Sequence, residues 1–304
     1  MGEAAAAGHT LGAAVVLLAV LAVLAAGAAA FDASLAVGRP AIGDPFREAV
    51  RFMVRQRRRT LLPDTLLLRI GVCGLLLVAV LAGVVLPLGE HAVADLPVGV
   101  VWFNGMEVCV WGALWLTGWS VNSVYPLAGG YRFLAQGLAY ELPHMFALMT
   151  AALGAGSLRV SEVVAAQRGL WFAVWMPVAF GVYLLSAVAM AFWGPMNQAV
   201  GPDLAGGVRA ELSGPDRLTF EMGRYVLLVV AAGAAVPLFL GGGAGPGLPP
   251  WAWTATKTVA VLALLVWAGH RLPTIRMDRF MEPAWLILIP AMLLQILVVG
   301  IVVL

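Results

Sequence analysis

Apolar runs of about twenty residues recur along this chain, separated by short polar breaks, and that spacing restricts it to one environment. A bilayer's hydrocarbon core is about 30 Å thick and takes roughly 20 apolar residues per helix. The runs predict spans over residues 11–31, 67–88, 98–118, 138–155, 170–193, 224–241, 254–269 and 284–304. The seventh is the weakest, because Lys257 and flanking prolines shorten it. Composition agrees. Of 304 residues 62% are hydrophobic and 11% charged, with a mean hydropathy of +0.94, whereas soluble domains carry about 45–50% apolar and 25% charged residues. The expected fold class is an all-α integral membrane protein: a single membrane domain, residues 1–304, of about eight transmembrane helices.

Sidedness follows from where the basic residues fall, since cytoplasmic loops are enriched in Lys and Arg. Eight spans put the loops at 38–66, 119–137, 194–223 and 270–283 on one side. With Arg69 and Arg224 at their rims, that side holds fifteen of the eighteen Lys and Arg. The other side holds Arg159 and Arg168, and Lys257 lies within a span. The arginine-rich loops are therefore expected in the cytoplasm and both termini outside. The first span ends in small residues like a signal peptide, but a secretory leader begins with positive charge. Residues 1–10 contain Glu3 and His9 and no Lys or Arg, so a retained helix is expected. Seventeen arginines against one lysine is the bias of a GC-rich genome, and the expected location is the plasma membrane of a prokaryote.

Several chemistries are excluded early. A net charge of +2 is too small to imply a nucleic-acid partner. Cys73 and Cys109 stand far apart without CxxC spacing, and an iron–sulfur cluster needs about four thiolates. The two read as small core residues. A bis-histidine haem needs a facing pair, and only His144 falls inside a span while His9, His91 and His270 fall near helix ends. No metal site is expected, and no cofactor bound by this chain.

The informative residues are the ionisable ones where lipid should be. Each costs about 2.5–3.5 kcal/mol on insertion scales and marks a pathway more often than chance. Glu107, Glu141, His144 and Lys257 are the candidates. Glu141 and His144 are three apart, hence on one helix face, where a carboxylate and an imidazole can hold and pass a proton. A mutually satisfied pair with no proton traffic is the plainer reading. Glu107 reads equally as a lone buried carboxyl or a relay member. Lys257 reads as functional or as an interfacial lysine reaching outward.

On the arginine-rich side, residues 45–60 predict an interfacial amphipathic helix. Phe46, Val50, Met53 and Val54 form its apolar face, and Arg47, Arg51, Arg55 and Arg57 to Arg59 carry its charge. It reads as a topology anchor on anionic lipid or as a surface for a partner. Residues 118–141, 211–225 and 271–285 join charges to aromatics. Three such segments on one side suggest a wall against partner subunits or the mouth of a cavity for an amphipathic ligand.

These three segments, in this order, resemble the membrane subunit of respiratory complex I that builds most of its quinone chamber, called H in bacteria and subunit 1 in mitochondria. GWSVNSVY at 118–125, Tyr131-Arg132, Ala135-Gln136 and Tyr140-Glu141 carry the first part of the likeness. AELSG at 210–214, Phe220, Met222 and PLFLGG at 237–242 carry the second. Trp253, Lys257, Leu272-Pro273, Arg276, Asp278, Met281, Trp285 and Pro290 carry the third. The match runs from about Gly38 to the C-terminus, weakly before Pro63 and strongly after Gly118.

The resemblance implies a subunit without catalysis of its own, part of a proton-translocating NADH:quinone oxidoreductase. Hydrophilic iron–sulfur subunits would dock on its cytoplasmic face, and antiporter-like membrane subunits would be neighbours. Quinone would be the substrate, with the iron–sulfur clusters in partners. It implies Arg132, Glu211, Arg276 and Asp278 at the chamber or its mouth, and Glu141, His144, Glu107 and Lys257 on the proton path. There are departures. Gly207 and Arg209 stand where the family carries glutamates, Thr219 replaces an acid with Glu221 nearby, and Val124 and Leu286 replace lysines. The early glycine–proline–asparagine motif is reduced to GRPAIGDPF at 38–46, and Glu107 replaces a small residue. A membrane anchor of a related hydrogenase-type complex, or a structural or assembly paralogue, are the alternatives.

Overall fold

The computed structural model describes residues 2–89 and 91–303, with side chains from residue 11 onward. The side chains of Glu3 and His9 and the last residue of the eighth predicted span, Leu304, lie outside the described residues.

Helix α1 (Gly2–Val37) runs on past the predicted end at 31, because no breaker occurs before Gly38, whose φ of 71° ends it. Next come α2 (Asp44–Val54), α3 (Thr65–Gly83), α4 (Gly99–Ser120) and α5 (Val124–Ala155). Asp64 caps α3 by accepting from the amides of Leu66 and Leu67. Then follow α6 (Val160–Ala166), α7 (Phe172–Trp175), α8 (Pro177–Met190), α9 (Gly214–Phe239), α10 (Pro250–Arg271), α11 (Met277–Pro283) and α12 (Ile289–Val303). Six of the helical segments are long and apolar enough to cross a membrane, or seven if α5 and α6, bent by 63°, make one span. The 14 residues of α8 are a shorter apolar helix.

The structure moves several predicted boundaries. The segment 119–137 is not a loop: from Val124 it is the first four turns of α5, with Pro126 in the first turn, where a missing N–H costs nothing. The span at 170–193 breaks at Met176, since Pro177 has no N–H to continue the ladder. Helix α9 starts ten residues before the predicted 224. Its first three turns carry Asp216, Arg217 and Glu221, which hydropathy reads as loop although Asp216 pairs with Arg57 and Glu221 with Arg217. Helix α10 is 22 residues long, so the seventh span is full length, entered through Pro249 and Pro250. The eighth begins at Met277 and includes a wide π turn, Ala284–Leu288, just ahead of Pro290, which has no N–H to offer Leu286. The amphipathic helix ends at Val54 instead of reaching 60. Four arginines within 55–59 repel on a helix, and the backbone beyond turns to other partners, with Arg58 N–H donating to Ser213 Oγ at 2.6 Å.

Helix α9 is the axis of the molecule. Nearly every residue from Val226 to Phe239 is buried, with α1, α3, α8 and α10 packed around it. Small residues set the closest approaches. A methyl on Gly71 of α3 would lie 2.5 Å from Thr117 Oγ1 and 2.8 Å from the Ala113 carbonyl of α4. Cys73 and Cys109, expected in the core, are exposed on the outer faces of α3 and α4. Mid-span, that surface meets acyl chains, so an apolar residue there needs no protein around it.

The loops grouped by arginine content touch one another. Asn122 Nδ2 donates to the Leu61 carbonyl, Ser123 Oγ to Glu211 and Ile275 N–H to the Pro195 carbonyl, and Arg57 pairs with Asp216. Asp95, Arg159 and Ser161 form a separate cluster between the α3–α4 and α5–α6 connections.

Candidate functional site

The predicted residues fall into four places, only one of them deep among the helices. In α4, Asn104 and Glu107 lie three apart and Trp111 four further on, all on the side turned to α5. In α5, Tyr140, Glu141 and His144 face them. His144 is fully buried and Glu107 is 1% exposed. His144 Nε2 stands 2.7 Å from Glu107 Oε2, an ion-pair distance whose alignment falls short of a hydrogen bond. Glu107 is thus not the lone carboxyl that its isolation in the sequence allowed. Glu141 Oε1 accepts from Asn104 Nδ2 at 3.2 Å.

This cluster has more polar atoms than aligned partners. Tyr140 OH, Glu141 Oε2, Asn104 Oδ1 and both ring nitrogens of His144 are buried without a hydrogen bond. Trp111 Nε1 is likewise free, and its indole lies flat over Gly137, where a methyl would collide with the ring. Aromatic rings seal the far side, with Tyr183 5.5 Å and Phe103 6.4 Å from the imidazole. Tyr183 itself is tied off, donating to the Ala231 carbonyl of α9. Buried polar groups in native proteins are rarely left unpaired. A cluster so rich in free acceptors and donors suits bridging water and a mobile proton.

The second place is the arginine-rich end. Glu211 accepts from Ser123 Oγ at 3.1 Å and lines an open cleft of about 780 Å³. Beside it, Glu221 gathers Arg217 at 2.8 Å, Arg209 at 3.4 Å and Arg224 at 3.8 Å. Arg224 is clamped over Trp193 and Phe192 and donates to the Phe192 carbonyl. Glu221 thus anchors three guanidiniums from within α9, while Thr219 only bonds back to Pro215. The third place is the outer rim, where Arg132 pairs with Asp203, and Arg276 with Asp278 at 3.1 Å, the latter pair largely solvent-facing.

Lys257 is the fourth place, and it joins none of the others. Its ammonium donates to the carbonyls of Leu240, Gly242 and Ala244 at 2.7, 2.9 and 2.8 Å, between the rings of Trp171 and Trp253. No carboxylate lies within ion-pair distance of it among the described residues. It is buried, and its head turns back toward the start of α10 to reach these carbonyls.

Sequence reasoning missed Asn104, whose position three residues before Glu107 in an apolar run was a usable signal. It also missed the tie of Asp32 to Tyr225 OH at 2.9 Å and His270 Nε2 at 2.8 Å, which joins α1, α9 and α10. Residues so far apart leave no local pattern. No group of three or more His, Cys, Asp or Glu able to hold a metal occurs among the described residues.

A multi-pass helical membrane protein with a sealed carboxylate–imidazole cluster and a charged, cleft-bearing end is the class that fold and site define. Residues 11–300 match the NADH dehydrogenase family. The H 1 subunit of the NADH-quinone oxidoreductase of Geobacter metallireducens is 35% identical over 277 residues, 87% of this chain and 84% of the relative. The H 2 subunit of the same enzyme from Cereibacter sphaeroides is 37% identical over 218 residues, 71% of this chain and 69% of the relative. The H subunit of Carboxydothermus hydrogenoformans is 32% identical over 229 residues, 73% and 65% of the two chains. The chain belongs to the family of NADH-quinone oxidoreductase H subunits.

Proposed function

We propose that this chain is the quinone-chamber, proton-coupled membrane subunit of a complex I-type NADH:quinone oxidoreductase, acting only within the assembled complex. It crosses a prokaryotic plasma membrane eight times, α7 with α8 supplying the fifth passage and α11 with α12 the last. Both termini are outside. Hydrophilic iron–sulfur subunits cover the arginine-rich end, antiporter-like subunits continue the membrane part, and quinone reaches a cluster held by a partner.

The 2.7 Å approach of His144 to Glu107, fully withdrawn from solvent and next to Glu141, carries this reading. Desolvated charges persist where they are paired or used. Glu107 and His144 hold one proton between them, Asn104 orients Glu141 to receive it, and Tyr140 OH and Trp111 Nε1 supply donors to an intervening water. Glu211, Arg132, Arg276 and Asp278 belong to the chamber and its mouth. Lys257 acts on the path through the 240–244 turn that it fastens. Arg209, standing where the family carries an acid, favours the second reading, a paralogue with altered coupling.

Two measurements test the role. Affinity purification of the full chain from its own membranes should bring iron–sulfur subunits with it. Within that complex Arg276→Ala should slow reduction of short-chain quinones. Copurification with a nickel–iron large subunit, or a stable monomer, contradicts the reading.

A further inference from the structure

Helix α2 lies away from the buried cluster and borders the cleft that Glu211 lines. Residues on a helix advance by about 100°, which divides α2 into three strips. Pro45, Ala49 and Phe52 are half-buried where it packs on α9 and α1. Phe46, Val50, Met53 and Val54 are 56%, 60%, 65% and 78% exposed. Arg47, Arg51 and Arg55 form the third strip, exposed beside the apolar one. Two clefts adjoin the arginine strip on its side away from the apolar one, sharing Glu48, Phe52 and Arg55: one of about 420 Å³ along α2, the other of about 780 Å³ between α2 and residues 210–217. Arg47 pairs with Asp44, Arg57 with Asp216 and Arg217 with Glu221, but Arg51, Arg55 and Arg58 have no ion-pair partner among the described residues.

We propose that this corner is a binding site for an anionic phospholipid. Arg51, Arg55 and Arg58 grip the phosphodiester in the clefts, and the acyl chains run along Phe46, Val50, Met53 and Val54. An apolar strip bordered by unpaired guanidiniums demands hydrocarbon and anion together in one ligand. An interfacial helix meets both at once, because its apolar side sinks about 5–10 Å below the headgroups while its arginines stay at phosphate depth. Glu48, on the wall of both clefts, can accept from the hydroxyls of a glycerol headgroup. The site does not depend on the redox or proton role.

The test uses the full chain with its copurifying subunits in neutral phosphatidylcholine nanodiscs. These are doped with photoactivatable phosphatidylglycerol or photoactivatable phosphatidylcholine, and labelled peptides are mapped. Phosphatidylglycerol should label residues 44–58 far more strongly than phosphatidylcholine. Each guanidinium near an anionic surface contributes roughly fivefold, so Arg51→Gln, Arg55→Gln and Arg58→Gln together should lower labelling on the order of a hundredfold. Excess inorganic phosphate should change nothing, and the triple lysine variant should keep most of the labelling, also guarding against loss of fold. Equal labelling by the two lipids, an unaffected glutamine variant or competition by inorganic phosphate would overturn the site. So would crosslinking of residues 44–58 to a copurified subunit in place of lipid, which would make α2 a protein-docking surface.

Discussion

Among single residues, Glu107 and Lys257 illustrate opposite ways of holding a charge inside a membrane protein. Lys257 is saturated, its three donors spent on three carbonyls and its faces covered by indoles. Glu107 is undersupplied, with one near neighbour and no aligned hydrogen bond. The first arrangement builds a turn; the second leaves room for chemistry. Lys257→Met should orphan three carbonyls, each worth about 1–3 kcal/mol when buried, and expose residues 241–250 to protease in solubilised protein. Unchanged proteolysis would remove the fastening role. His144→Phe should strand Glu107 and lower stability by roughly 3 kcal/mol, read as a fall in melting temperature. Adding Glu107→Leu should recover most of that loss, and a double variant as unstable as the single one would dissolve the pair.

At the scale of elements, spacing between helices is set by glycines that the sequence does not mark as different from their neighbours. A methyl on Gly71 would meet Thr117 and Ala113 of α4 at under 3 Å, whereas one on Gly74 would meet only Ala113 Cβ at 3.8 Å. Gly71→Ala should therefore push α3 from α4 and cost about 1–3 kcal/mol, while Gly74→Ala should be close to neutral in the same detergent unfolding assay. Equal effects would contradict this packing. Hydropathy made most helices legible, because length and apolarity are what a span must have. It failed where those were not the deciding terms. The start of α9 is charged but internally paired, α5 extends beyond the hydrocarbon, and α8 is shortened by Pro177. The fates of Glu107 and Lys257 were illegible for a different reason. Their partners, His144 and the 240–244 carbonyls, come from other elements, and a period of 3.6 residues cannot say which helix lies opposite.

Across the whole molecule, polar groups are sorted by depth. Arg57–Asp216, Arg132–Asp203 and the arginines on Glu221 gather at one end, Asp95 with Arg159 lies apart from them, and Glu107, His144 and Glu141 are withdrawn between α4 and α5. The proposed role requires the last group to carry protons while partners at the arginine-rich end supply electrons. The most direct measurement is quinone-linked proton movement in sealed vesicles holding the assembled complex, comparing wild type with Glu107→Gln and Glu141→Gln. Electron transfer that continues while proton movement falls at least tenfold in both variants is the predicted result. Wild-type proton movement in both would mean that the buried cluster is architecture alone.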